Sequence, residues 1–343
     1  MSNKATNKSS LLVWGDINVD ILGRVKAWPE PGDDCLAEKL EMHCGGVGAN
    51  CALGLARWGV STRLVGCVGQ DLFGDYVLQA LKDGGVDLRW VQRTTAALTG
   101  MLYINVTPDG ERTFFGSRGA NGLFRQLPGW AALNGRVSAA HLAGHSFLNR
   151  ASERAAKQLI KAVHGCGGWV SLDIGMQPSK VIPRKILQMS RRVDILLLSS
   201  DEAVALTGVG DPYEGFARLQ EAGAHEVVLK LGRRGCLISE DDTPTLVPSF
   251  AVRTVDSTGA GDAFVAAFLH ARLRGWSTAE GALAANAAGA LAATVVGAGD
   301  NLPSVRDIGA FLRAQRLEAK WDRVRLRVLA CLPRDSSAAG VSR

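Results

Sequence analysis

The sequence predicts an α/β protein: a three-layer α/β/α sandwich on a mainly parallel central sheet, with a small β-sheet lid. Three observations carry this. Short apolar runs of strand length alternate with longer stretches of helical period along most of the chain. The strand candidates are continuous apolar runs, as expected where a parallel sheet is covered by helices on both faces. Residues 33–43 and 98–117 break the rhythm with mixed polar and apolar alternation, which implies a sheet open on one face.

In chain order, residues 1–10 (MSNKATNKSS) are polar and read as a flexible tail. LLVWG is the first strand, and it meets Asp16 and Asp20 too soon to be a signal-peptide core or a membrane span. A cytoplasmic protein without a membrane partner is expected. NCALGLARWG, STRLVGCVG and GDYVLQALKDGG continue as helix, strand and helix. Pro108-Asp109-Gly110, between the halves of 98–117, is a hairpin signal. WVSLDI and VDILLLSS are strands, DEAVALTG is a helix and HEVVLKLG a strand. Alanine-rich helices follow from Ala260 to about Leu273 and from Ala279 to Val296. One domain over 11–315, with the two lid segments inserted, accounts for the pattern, and a basic segment, 316–343, follows it.

With 47% hydrophobic and 21% charged residues in 343, the composition supports a large core and argues against extended disorder. The net charge of +6 comes largely from the end, where Arg313, Arg316, Lys320, Arg323, Arg325 and Arg327 accumulate beside Glu318 and Asp322. Such runs usually form a solvated helix face, so no nucleic-acid partner is expected. The seven cysteines are an odd number, contain no C-x-x-C pair and sit mostly in apolar stretches. They read as reduced, buried thiols.

Three motifs carry chemistry. In VDSTGAGDAF (Val255–Phe264), Gly259, Ala260 and Gly261 let backbone N–H groups approach an anion at a helix N-terminus, where the helix dipole also favours negative charge. Asp262 follows in the first turn, placed to take a proton from a hydroxyl while those amides stabilise transferring oxygens. An ordinary helix start with Asp in its first turn is the alternative. GDINVD ends the first strand with Asn18 and Asp20 on one side at a period of two, able to bind hydroxyls or simply to form a solvated turn. CGGVGAN brings Gly45 and Gly46 ahead of a helix bearing Asn50. Its spacing is not G-x-G-x-x-G and it follows a lid-like strand, which argues against a dinucleotide loop.

The segment D-S-T-G-A-G-D, residues 256–262, resembles the signature of ribokinase-like PfkB family carbohydrate kinases, and the resemblance extends over about 11–313. It implies ATP-dependent phosphorylation of a sugar hydroxyl, with Asp262 as general base and Gly259, Ala260 and Gly261 as the anion hole. Asn18, Asp20, Gly45, Gly46 and Asn50 would hold the sugar, and GDINVD resembles the form used for unphosphorylated substrates. Val47 stands where ribokinases proper carry lysine. On the nucleotide side the resemblance implies Gly232 and Gly235 in the loop of VVLKLGRRG against ATP, Lys230 within reach of phosphate, and Asn286 beside the adenine. The family's N-x-x-E appears as Ser199 and Glu202, with Glu202 organising magnesium through waters. Asp256, Thr258 and Gly297 fit a potassium site. Within GERTFFGSRGAN, Arg112, Arg118 and Asn121 reach towards the cleft, where an arginine would select a sugar acid. Stacking of Phe114 and Phe115 on a base would make the chain a nucleoside kinase instead. His145 and Ser146 are further candidates to face the substrate, and a non-catalytic sugar or nucleoside sensor is the remaining alternative. The family also implies pairing of two copies through the lid.

Overall fold

The computed structural model describes residues 10–108, 112–125, 137–240, 243–295 and 302–332. The central sheet has nine strands: β1 (Ser10–Trp14), β4 (Ser61–Gly69), β5 (Asp87–Thr94), β8 (Ala139–Ala143), β9 (Trp169–Asp173), β10 (Ile195–Ser199), β11 (Glu226–Lys230), β12 (Cys236–Glu240) and β13 (Thr243–Val247). Their order is β13-β12-β11-β10-β9-β8-β1-β4-β5. From β11 to β5 the neighbours are parallel, while β12 and β13 add an antiparallel edge.

The pleat of β1 shows why the layers number three. Leu11 and Val13 point to one face and Leu12 and Trp14 to the other, and all four are buried. The first face packs α1 (Val47–Arg57), α2 (Leu72–Asp83), α8 (Ala260–Leu273), α9 (Thr278–Ala292), α10 (Val305–Ala314) and α11 (Ala319–Cys331). The second packs α3 (Arg150–Gly165), α5 (Pro183–Ser190), α6 (Ser200–Thr207) and α7 (Pro212–Glu221), with the short α4 (Met176–Val181) ahead of α5. Helix α9 is apolar on nearly every side because α8 and α11 both cover it. So α11 is a docked helix and not the solvated one its charge suggests: Trp321, Arg325 and Val328 are buried. The Arg325 guanidinium donates to Leu312 O at 3.1 Å and to Asp322 at 2.8 Å.

A second sheet of four strands, β2 (Asn18–Arg24), β3 (Lys39–Gly45), β6 (Gly100–Val106) and β7 (Arg112–Ser117), forms the lid in the order β3-β2-β6-β7. It differs from the expectation in two ways. Residues 33–38 are not strand, and β3 runs on to Gly45. Asn18 and Asp20 belong to the lid strand β2 and not to the end of the first core strand, which stops at Trp14. The break has a steric cause. Gly15 meets α1 so closely that a Cβ on it would lie 2.8 Å from Gly48 Cα. The Asp16 carbonyl then accepts from the N–H groups of Gly48 and Ala49, at 3.1 and 3.3 Å, instead of extending the sheet. No helix among the described residues is long and apolar enough to cross a membrane. Cys44, Cys51, Cys67 and Cys236 are buried as expected, whereas Cys35, Cys166 and Cys331 are exposed.

Candidate active site

In a parallel sheet, ligand-facing groups collect beyond the carboxyl ends of the strands. Here those ends carry Asp173 on β9, Ser199 on β10 and Lys230 on β11. Helix α8 starts above them at Gly259, whose φ of 77° is a left-handed conformation natural to glycine. The N–H groups of Gly259 and Gly261 have no hydrogen-bond partner among the described residues, whereas that of Ala260 donates to Ser257 O at a long 3.3 Å. Asp262 follows in the first turn of α8 and accepts from Asn50 Nδ2 on α1 at 2.7 Å.

Asp20 reaches the same corner from the lid. Gly45, on the neighbouring strand, makes room for it, since a Cβ there would stand 2.0 Å from Asp20 Oδ2. Asp20 Oδ1 and Asn50 Oδ1 are buried without a partner among the described residues, the arrangement expected of acceptors that meet a ligand's hydroxyls. Burial pushes the Asp262 carboxyl up to about 6, against the Asn50 hydrogen bond that favours its charged form; Asp173 adds repulsion and Lys230 attraction. Burial, reinforced by the charge of Asp262, pushes Asp20 up to about 7. Asn18 is held differently: its Oδ1 accepts from Asn121 Nδ2 at 2.8 Å, while Asn121 Oδ1 accepts from Ile17 N at 2.8 Å. Arg118 forms a two-pronged ion pair with Asp16, at 2.9 and 2.7 Å. These two residues brace the turn into β2. His145 Nδ1 and Ser146 Oγ are buried without partners among the described residues, and they line the small space beside Asp16, Arg118 and Asn121.

On the other side of Asp262 a cavity of about 310 Å³ is lined by Lys230, Gly232, Gly235, Ala260, Gly261 and Asn286, among others. Asn286 Nδ2 is committed to the protein, donating to Val247 O at 3.2 Å and Pro248 O at 3.0 Å, so this amide ties α9 to the end of β13. Lys230 Nζ donates to Asp173 Oδ1 at 2.8 Å. Burial opposes the charged ammonium, but the carboxylates of Asp173 and Glu202 outweigh it and hold the Lys230 pKa above its ordinary value. Burial raises Glu202, with Lys230 working against the rise.

Ser199 has a role of its own. Its Oγ accepts from Glu202 N at 3.3 Å while Glu202 Oε2 accepts from Ser199 N at 2.8 Å, a capping box that starts α6. Asp256 Oδ1 accepts from Thr258 N at 2.8 Å, and Gly297 lies outside the described residues. No group of three or more His, Cys, Asp or Glu side chains that could hold a metal ion occurs among the described residues. A magnesium ion that keeps its waters and is carried by phosphates needs only one or two nearby carboxylates, and Glu202 and Asp173 are the residues here that would serve. Asp173 is the site residue that motif reading passes over. Its one signal is a carboxylate closing the apolar strand WVSLD.

The family model for "pfkB family carbohydrate kinase" matches residues 8–305. The chain belongs to this family. This pfkB kinase is 29% identical over 332 residues to the aminoimidazole riboside kinase of Salmonella typhimurium, with 92% of this chain and 98% of the relative covered. Among solved structures it is similar to Arabidopsis thaliana ribokinase complexed with ribose and ATP, with a TM-score of 0.78 at 28% identity over 90% of this chain and 99% of that one. It is also similar to a putative ribokinase II from E. coli in complex with ATP and magnesium, with a TM-score of 0.78 at 27% identity over 90% and 100% of the two chains. The pfkB kinase is an ATP-dependent sugar kinase.

Proposed function

We propose that the enzyme transfers the γ-phosphoryl group of magnesium-bound ATP to a hydroxyl of an unphosphorylated, neutral sugar, with Asp262 as general base. One observation carries this reading. Asp262 stands between the cavity that runs past Gly261, Lys230 and Asn286 and the buried acceptors of Asp20 and Asn50. In the transfer the acceptor hydroxyl gives its proton to the Asp262 carboxylate and its oxygen bonds to phosphorus as the bond to the ADP oxygen breaks. The amides of Gly259 and Gly261 stabilise the equatorial oxygens, and Ala260 contributes less because its N–H is partly engaged. Lys230, pinned by Asp173, lines the cavity where the phosphates would lie, and Glu202 would help hold a magnesium ion there, which would supply charge neutralisation to the transferring group.

Charge balance separates the substrate classes. Arg118 is neutralised by Asp16, which leaves Asp20 and Asp262 to set the sign of the sugar pocket. A neutral polyol fits that field better than a sugar acid or a phosphosugar. A nucleoside is the second reading, favoured by one detail of register. Phe114 pairs with Ile104, which pairs with Leu22, two residues from Asp20, so Phe114 lies on the same face of the lid as Asp20. Phe115 lies on the opposite face and stacks on Trp28.

The test is ATP consumption over a panel of pentoses, hexoses, ketoses, sugar acids and nucleosides, with wild type and Asp262→Asn. The variant is expected to lose about 10²–10⁴-fold in kcat on the active compound, and turnover surviving at the wild-type rate would refute the base. Asp256 and Thr258 support potassium activation. Replacing potassium by tetramethylammonium is expected to lower the rate, and equal rates would remove that site.

A further inference from the structure

We infer a second anion site, at the amino-terminal ends of the central strands and so at the opposite end of the sheet from the active site, that takes a compact ligand bearing two or more phosphoryl groups. A cavity of about 630 Å³ lies there, within the size range of small-molecule sites. Lys157, Lys161 and His164 line it from successive turns of α3, Arg191 and Arg192 from the turn before β10, and His225 from the residue before β11. Cations from three separate segments therefore converge on one concavity.

The opposing charge is already spent. Asp194, the one carboxylate in the lining, accepts from Val170 N at 2.7 Å and contacts His164 Nε2 at 2.9 Å. Lys157 pairs with Glu153 at 2.7 Å, but neither Lys161 nor Arg192 pairs with a carboxylate among the described residues. Arg191 is oriented by donation from its Nε to Ala222 O, which fixes one guanidinium in advance of any ligand. A guanidinium held in place loses less freedom on meeting a phosphate and offers it a planar donor fork. No Phe, Tyr or Trp lines the cavity, so it lacks the stacking platforms of a nucleic-acid groove and favours a compact polyanion over a chain of bases.

The site is separate from the nucleotide cleft. Val193 and Asp194 lead into β10 and His225 into β11, whereas Ser199 and Lys230 close those strands at the far ends. A five-residue strand at roughly 3.3 Å per residue puts the two regions about 16 Å apart.

The test uses inorganic tripolyphosphate in magnesium-free buffer, followed through the imidazole NMR signals of His164 and His225. Saturable shifts of both signals are expected in wild type. Lys161→Gln combined with Arg192→Gln should weaken binding by about tenfold or more, since each change removes one charge-assisted hydrogen-bond donor to the anion. Arg323→Gln combined with Arg327→Gln, two exposed cations of α11, should leave it unchanged. A fluorescent ATP analogue should bind the cleft equally in all three proteins. Equal weakening in both double variants would show a diffuse field and overturn the site. So would an absence of saturable shifts, or binding of a single-stranded oligonucleotide or anionic vesicles with tripolyphosphate ignored.

Discussion

Asp262 and Asp20 share one buried corner, and two carboxylates so placed cannot both ionise freely. Burial pushes Asp262 up to about 6 and Asp20 up to about 7, so the two titrate as a pair as pH approaches neutrality, and Asp262, the proposed base, ionises in that window. Because the base must be ionised, kcat/KM for the sugar should rise through pH 6 and flatten above it. The Asn50 hydrogen bond favours the charged carboxylate, so Asn50→Ala should raise the Asp262 pKa and move the acid limb to higher pH. A pH–rate profile checks this, and an unmoved limb would show that Asn50 acts on substrate alone. The same shifts bear on stability with a definite sign. A carboxyl raised above its unfolded value of 3.8 gives the fold a contribution that is complete below that value and lost as pH rises through 6 to 7. The motif D-S-T-G-A-G-D made Asp262 visible in the sequence. Its pKa was not visible, because burial and the approach of Asn50, 212 positions away, exist only in the folded chain.

At the scale of elements, Ser199 shows how a departure from a family pattern can be absorbed. Asparagine and serine both cap helices well, and here Ser199 starts α6 while holding Glu202 at the end of β10. Ser199→Ala should cost about 0.5–2 kcal/mol, whereas Ser199→Asn should be close to neutral. Urea unfolding midpoints would separate the two, and equal midpoints for Ala and wild type would mean that the cap is not used. The lid teaches a different lesson. Its strands β6 and β7 are legible from alternation and a hairpin signal, but β2 is not, since GDINVD reads as a continuation of the first strand. The chain leaves the core sheet there because Gly15 and Gly48 bring two backbones together, a contact between segments that local pattern cannot encode.

For the whole molecule, the alternating apolar strands and helices were enough to specify a parallel sheet with both faces covered. The reason is that such a sheet needs apolar residues at every strand position, and nothing else in the sequence demands that pattern. The basic C-terminal segment is the counterexample. Its charges suggest a free surface helix, yet α9 is apolar all round and needs a cover on its outer side, which α11 provides through Trp321 and Val328. Trp321→Ala should therefore destabilise the protein by about 3–5 kcal/mol, read as a large fall in Tm, whereas a solvated helix would show almost none. The sequence by itself determined the layer architecture, the kinase signature and the position of the proposed base, because each is written in residues adjacent along the chain or repeated with a fixed period. Only the tertiary structure decided that Asp20 belongs to the lid, that Arg118 is spent on Asp16, that Asp173 pins Lys230 and that α11 closes the core. Each of these is a contact between residues far apart in the chain, selected by burial and close packing.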